Sequence, residues 1–560
     1  MAADTPSPKR ESTPATALPQ KRLEDDHVPA VSSPLNPDFA KTVKEDAPAV
    51  RAARAKKESL KKRESKGGSL APEPLARATP DPKSPDARKK VEDMPAPMRY
   101  KLPAPKPSDV QAPQGPVMTP HHTITAPDGA EIEFHETSDH VYNKKNFHYT
   151  HAIADPAFPS SQCYRQSETE PFTARINFED TSAHMFLDET ARHITTDKGY
   201  RMAKSNVCAR EGRWYYECKV TKGIPKRKRG EEPEAPRGHV RMGWARREAS
   251  LDAPVGFDCY SYGLRDQAGQ KMFMSRPKDF FPAGENVEEG DVIGMEINLP
   301  SESLHQKVVG GHFNPAVDLE DEEMKPTEAT DVIRDRVPIR FKSHLYFEQI
   351  DYEPIKELED LMHPSPVISS GISGSSQDPS PTHPIPALRT LPYSNIKIYK
   401  NGHLMGTAFT ELFAFLPPAS APDEKQQVGA RAGLDDGMLG YYPAVSVFRG
   451  GAAELNFGPD FWYPPAAYED NEDEVDMIGS DQLPTTKISK PKPMSERYDE
   501  QIAEDIVRDL VDEVDFWFQD GGATGKGIGS TPAQTSSLEA INGLSAMPSD
   551  EIKELVQDDE

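Results

Sequence analysis

Two runs of strict alternation, separated by a charged segment, constrain this chain more than any other feature. In Gly212-Arg213-Trp214-Tyr215-Tyr216-Glu217-Cys218-Lys219-Val220, the residues Trp214, Tyr216, Cys218 and Val220 share one side. In His239-Val240-Arg241-Met242-Gly243-Trp244, the residues Val240, Met242 and Trp244 do the same. A period of two is that of a strand buried on one face. Arg241 therefore stands on the face opposite Trp244, away from the core. An arginine on the open face of a sandwich suggests a recognition surface.

Further strands follow the same logic. Ile176 to Phe178, His184 to Asp188, Tyr200 to Lys204, Asp291 to Leu299, Ile396 to Lys400, Ala444 to Phe448 and Ala453 to Phe457 are short and bounded by turn residues. Asn401-Gly402 is a strong hairpin signal, because both residues tolerate a positive φ. Regular short strands without intervening helices predict a mainly β fold, an antiparallel sandwich over residues 172–465. Three segments read as loop insertions, at about 222–238, 301–392 and 417–437; only Ile339 to Ile350 in the second has strand-like content. A stable sandwich tolerates such insertions, since loop-closure entropy grows slowly with length.

The flanks are different. With 55 prolines and 36% hydrophobic residues, much of the chain lacks the apolar surface to offset conformational entropy. Residues 1–110 are Pro/Ser/Lys-rich and basic, and are expected to be disordered. Within 1–106, 22 Lys and Arg face 15 Asp and Glu, while 469–560 reverses this to 7 against 24. Residues 111–171 read as an extended lead-in, and His135, His140, His148 and His151 there lack a carboxylate or thiolate at ligand spacing, which favours packing over metal binding. Residues 466–498 read as an acidic linker and 519–560 as a disordered acidic tail. Between them, 499–518 places Ile502, Ile506, Leu510, Val514 and Trp517 on one stripe, flanked by Ala503, Val507 and Val511 and opposite Glu504, Asp505, Arg508, Asp512 and Asp515. This is an amphipathic helix, marginal alone in water, that must pack either back on its own sandwich or on an external partner; the preceding linker and the wide apolar face favour the partner.

Signatures of catalysis do not emerge. The cluster Gly521 to Gly527 is one residue short of a phosphate loop and lacks a hydroxyl residue after Lys526. There is no nucleophile elbow, HExxH or dinucleotide fingerprint, so a binding module without cofactor or metal is expected rather than an enzyme. The four cysteines form no CxxC pair, which argues against zinc fingers and a disulfide framework. No apolar run is long enough to span a bilayer and neither end resembles a signal peptide, so a soluble intracellular protein is expected.

Taken together, Gly212 to Glu217, Gly243-Trp244, Asp291 to Leu299, Tyr399 to Gly402 and Pro443 to Ser446 resemble the SPRY domain, a bent antiparallel β-sandwich used for protein binding. More narrowly, Ala253 to Asp258 followed by Tyr260-Ser261-Tyr262, Asn456 to Pro459, Tyr463-Pro464-Pro465 and the terminal helix resemble the Ash-two/Bre-two family. That family supplies the SPRY subunit of COMPASS (Set-one/MLL) complexes, which methylate lysine four of histone H three. The resemblance implies a nuclear, non-catalytic scaffold and activator beside a SET-domain catalytic subunit. It implies a pocket formed by Arg241, Pro254 and Phe257 for an acidic segment of a WD-repeat subunit. Phe257 departs from the family, which carries tyrosine there. It also implies that Ile502, Ile506, Leu510, Val514 and Trp517 anchor a dimeric Dpy-thirty/Sdc-one-like helical subunit. The basic stretch Lys226, Arg227, Lys228, Arg229 admits three readings: a nuclear import signal, a weak contact to nucleosomal DNA, or a solvated loop. A generic SPRY adaptor, for example for a ubiquitin ligase, is the alternative function.

Overall fold

The computed structural model describes residues 105–143, 147–155, 164–226, 235–318, 332–362, 378–422, 434–469 and 490–519, with Ile552 and Leu555. Its two alternating runs become central strands of two facing sheets. Gly212–Lys222 lies between Val292–Leu299 and Ala452–Asn456 in a ten-stranded sheet. His239–Ala245 lies between Ser261–Arg265 and Tyr442–Phe448 in a seven-stranded sheet that continues to Arg201–Ser205 and Ile176–Thr181. Among the described residues the strands of these two sheets pair antiparallel, except where Lys492–Pro493 joins Gly212–Lys222 in parallel.

The alternating apolar residues meet in one core, which contains Trp214, Tyr216, Cys218, Val220, Val240, Met242 and Trp244. The Tyr216 and Trp244 rings pack edge to face at 5.1 Å, and the Tyr216 hydroxyl donates to the Gly243 carbonyl at 2.5 Å. This satisfies the one polar atom that Tyr216 brings into the interior. On the other side of the same strand, Glu217 is buried and accepts from the backbone N–H groups of Trp462 and Tyr463 at 2.7 and 2.8 Å. The carboxylate thus fixes the chain that leaves the sandwich after Asn456. Asn401 and Gly402, with φ of 49° and 81°, close the hairpin between Asn395–Lys400 and His403–Thr410.

The expected insertion at 301–392 is not simply a loop. It contributes helix α1 (Glu302–Gly310), strands Val337–Phe341 and His344–Ile350, and helix α2 (Lys356–Met362). Ser301 caps α1, and Gly311 in the left-handed region ends it. The expected lead-in is also folded. Val117–Thr125 and Glu131–Ser138 form a hairpin at the edge of the ten-stranded sheet, and Phe147–Ala154 pairs with His344–Ile350 in a separate four-stranded sheet. Neither segment shows a complete core of its own in sequence, because Tyr149 from one and Ile339, Phe341 and Tyr346 from the other form a shared cluster.

His135, His140, His148 and His151 are buried, and the His151 Nε2 lies 2.7 Å from Glu179 Oε1, whose carboxyl pKa is held at about 2 by that contact against the cost of burial. Among the described residues no cluster could hold a metal ion, and no helix is long and apolar enough to cross a membrane. Cys208, Cys218 and Cys259 are free and buried, and burial pushes their thiols up.

The supposed linker at 466–498 holds helix α3 (Ala466–Glu469), the strand Lys492–Pro493 and the first turn of helix α4 (Met494–Gln519). The terminal helix therefore begins at Met494 rather than Asp499, because Met494 is fully buried and Tyr498 nearly so in the sandwich core. In the acidic tail, Ile552 and Leu555 are half-buried, and the Leu555 N–H donates to the Arg340 carbonyl at 2.8 Å. The glycine cluster 521–527 and Arg227, Lys228 and Arg229 lie outside the described residues.

Candidate functional site

Arg241 sits where alternation places it, half-buried on the outer face of His239–Ala245. Its cross-strand partners are Ser446 on one side and Arg265 on the other. Like charges directly opposite each other cost stability in a sheet. The arrangement suits a face that receives an anion. The Arg241 guanidinium lies 4.6 Å above the Tyr200 ring, and its Nε is buried without a hydrogen-bond partner. His239, two residues away on the same face, is held by Asp266 at 3.0 Å, and this bond raises its pKa.

The segment 253–258 folds down onto that same face. Val255 N–H donates to Ser446 Oγ at 3.1 Å, and Gly256 N–H donates to Ser261 Oγ at 2.9 Å. Asp258 accepts from Ser261 Oγ and Tyr260 N–H at 3.1 and 3.0 Å. The sheet beneath is bare of side chains, since Gly243 and Gly263 pair with each other, and a Cβ on Gly263 would come within 3.0 Å of the Val255 carbonyl. Gly256 takes φ of +80°, which L side chains rarely adopt. Pro254 is thus one residue from the backbone group bonded to the ladder partner of Arg241. Phe257 N–H donates to the Pro254 carbonyl at 3.0 Å, so Phe257 closes the same turn, and both side chains are half-buried. Tyr200, Arg265 and His239 escaped sequence reasoning. Alternation through Tyr262, Leu264 and Arg265 carried part of the signal, whereas Tyr200 is brought in only by strand order.

The second region is α4. Its first turns are fastened to the sandwich by Met494, Tyr498 and the half-buried Ile502, while Arg497 Nε donates to the Cys208 carbonyl at 3.0 Å and Gln501 Nε2 to the Asn206 carbonyl at 3.1 Å. Ile502 therefore packs with the chain's own core, unlike the other four expected anchors. Beyond it the helix buries Phe516 but turns its other large apolar side chains outward. Ile506, Val507, Leu510, Val511, Val514, Trp517 and Phe518 are 45–59% exposed, whereas Asp509 is 9% exposed and buried against Arg334 and Arg336. Val507 and Val511 flank the stripe as read from sequence, and Phe518 widens the apolar face beyond it. Patches of this kind on a folded surface mark interaction sites. Lys226 is exposed.

No family model matches the chain. A crystal structure of a human SPRY domain overlaps 50% of this chain and 98% of its own at 12% identity, with a TM-score of 0.22; the fold given above rests on the sheet topology itself. Sequence comparison is far more direct. The COMPASS component cclA of Colletotrichum higginsianum is 56% identical over 583 residues, covering all of both chains. The COMPASS component cclA of Aspergillus fumigatus is 40% identical over 92% of this chain and 81% of its own. The Set1 complex component ash2 of Schizosaccharomyces pombe is 38% identical over 76% of this chain and 54% of its own. Identity at this level along the full length decides the kinship: the chain belongs to the family of the COMPASS component cclA.

Proposed function

We propose that this chain is a nuclear, non-catalytic scaffold and activator of a histone methyltransferase complex acting on lysine four of histone H three. The observation that carries the reading is the outward apolar face of α4, seven large side chains at 45–59% exposure on a helix whose base is locked into the sandwich. A surface of this kind suits a groove between two apolar helices. Ile506, Leu510, Val514 and Trp517, with Val507, Val511 and Phe518, would fill the groove of the dimeric Dpy-thirty/Sdc-one-like subunit.

The Arg241 face would receive the acidic segment of the WD-repeat subunit. A guanidinium pairs with a carboxylate or phosphate through two parallel N–H donors. Arg265 opposite Arg241 and the stacked Tyr200 support that use, with Pro254 and Phe257 as walls. By bridging the WD-repeat subunit and the SET-domain subunit, the scaffold would restrain the catalytic lobe and so raise methylation. A generic SPRY adaptor leaves the exposed helix without a purpose. Lys226 with Arg227, Lys228 and Arg229 would serve nuclear import or touch DNA phosphates.

Affinity purification of the full chain from nuclear extract tests the reading. Recovery of a WD-repeat protein, a small helical dimer and a SET-domain protein is expected; recovery of a cullin or RING ligase instead would overturn it.

A further inference from the structure

An amphipathic helix attached to a sandwich ordinarily turns its apolar stripe inward, because burying large aliphatic and aromatic groups is favourable and burying carboxylates is not. The outer half of helix α4 buries Phe516 but turns seven other large apolar groups outward, and its acidic face meets a segment of the insertion. Residues 332–336 run beside the helix and are fixed from behind. Val332 bridges Asp435, the Ile333 N–H donates to the Asp435 carbonyl at 2.8 Å, and Arg210 binds both Asp435 and Glu302 at 2.6 and 2.5 Å.

From this anchored segment two arginines, 4% and 6% exposed, reach the helix. Arg334 Nη2 lies 2.9 Å from Asp509 and 2.8 Å from Asp512, and its Nη1 lies 3.7 Å from Asp505. Arg336 Nη1 lies 3.2 Å from Asp509. Gln166 Nε2 adds a bond to Asp505 at 3.1 Å. Asp505, Asp509 and Asp512 recur at i, i+4 and i+7, so they form one face, roughly opposite Leu510 and Val514. Three carboxylates on one face repel each other unless cations meet them.

We infer that Arg334 and Arg336 are positioning residues that set the rotation of α4 about its axis, capturing its acidic face so that its apolar face stays open to an apolar partner. The competing arrangement is the helix rolled over, or frayed, with that face lost to the partner. This rests on the proposed docking of the dimeric helical subunit, but the geometry of the free chain can be tested without it.

In the full-length chain, Arg334→Gln with Arg336→Gln is expected to lower hydrogen-exchange protection of residues 503–518 at least tenfold. If the presented state falls to about a tenth of the population, affinity for the dimeric helical subunit falls about tenfold. The helix-side variant Asp505→Asn, Asp509→Asn, Asp512→Asn leaves the insertion untouched and is expected to give the same two losses, which covers the case in which the arginine variant fails to fold. Arg334→Lys with Arg336→Lys, which keeps the charge, is expected to recover part of both. Unchanged protection, unchanged affinity, or a lysine variant no better than glutamine would overturn the inference. Leu510→Glu separates the two claims. If it leaves affinity intact, the docking reading fails, while the exchange measurement still judges the arginines.

Discussion

The strands around Arg241 and the helix around Leu510 treat the same residue types in opposite ways. In His239–Ala245 the apolar residues are fully buried and the charged residue faces out. In the outer half of α4 the acidic residues Asp505, Asp509 and Asp512 are turned toward the protein with Phe516, and seven other large apolar residues face out. The difference teaches what periodicity can and cannot say. A period of two or 3.6 tells which residues share a face, but the direction of that face depends on what the rest of the chain offers. For the strand, a second sheet offers an apolar surface. For the helix, two buried arginines offer a cationic one.

This contrast can be broken in graded steps. Trp244→Ala should cost about 3–5 kcal/mol of stability in chemical denaturation, as for a large side chain removed from a packed core. Leu510→Ala, by contrast, should change stability by less than about 0.5 kcal/mol, because the side chain is already in water. If Leu510→Ala destabilises as Trp244→Ala does, the helix is not presented as described. Next in size, Leu510→Glu should weaken binding of the dimeric helical subunit by about 2–4 kcal/mol in calorimetry, the range of an interface anchor.

Arg241→Ala should weaken binding of an acidic peptide by about 1.5–3 kcal/mol, the value of a hydrogen bond to a charged group. Phe257→Tyr should strengthen the same binding by about 0.5–1.5 kcal/mol if the hydroxyl reaches the ligand, and no gain would remove Phe257 from the contact. The smallest effect concerns pH. His239 carries a raised pKa because of its hydrogen bond to Asp266, so it is fully charged below the ordinary histidine value and loses its charge as pH rises through the raised one. Affinity of the Arg241 face for an acidic peptide should fall across that window by about 0.2–1 kcal/mol, since the group is partly solvated. His239→Gln should flatten the profile, and binding at α4 should not change with pH there.

Much of the sandwich was legible because each strand carries its own alternation, and Asn401-Gly402 announced its hairpin. The 301–392 segment was not, since its strands complete a core only with Phe147–Ala154, far away in sequence. The same applies to the sites. Arg241 was visible from its phase relative to Trp244, and Pro254 and Phe257 from family resemblance. Alternation hints at the outward side of Arg265, but its pairing with Arg241, and the arrival of Tyr200, come from strand order, which no local pattern encodes. The apolar stripe of α4 was readable, but the helix began earlier than expected because Lys492–Pro493 docks on Gly212–Lys222 before it. Ile502 belongs with this docked base, which the stripe alone could not separate from the free outer half.

On the proposed function, one chain presents two independent docking surfaces, a cationic face on the sandwich and an apolar face on the helix. Parallel affinity capture of the full-length wild type, Arg241→Ala and Leu510→Glu from the same extract tests it most directly. Arg241→Ala is expected to lose the WD-repeat subunit and keep the helical dimer, while Leu510→Glu does the opposite. Loss of both partners in either folded variant, or retention of both in each, would contradict it.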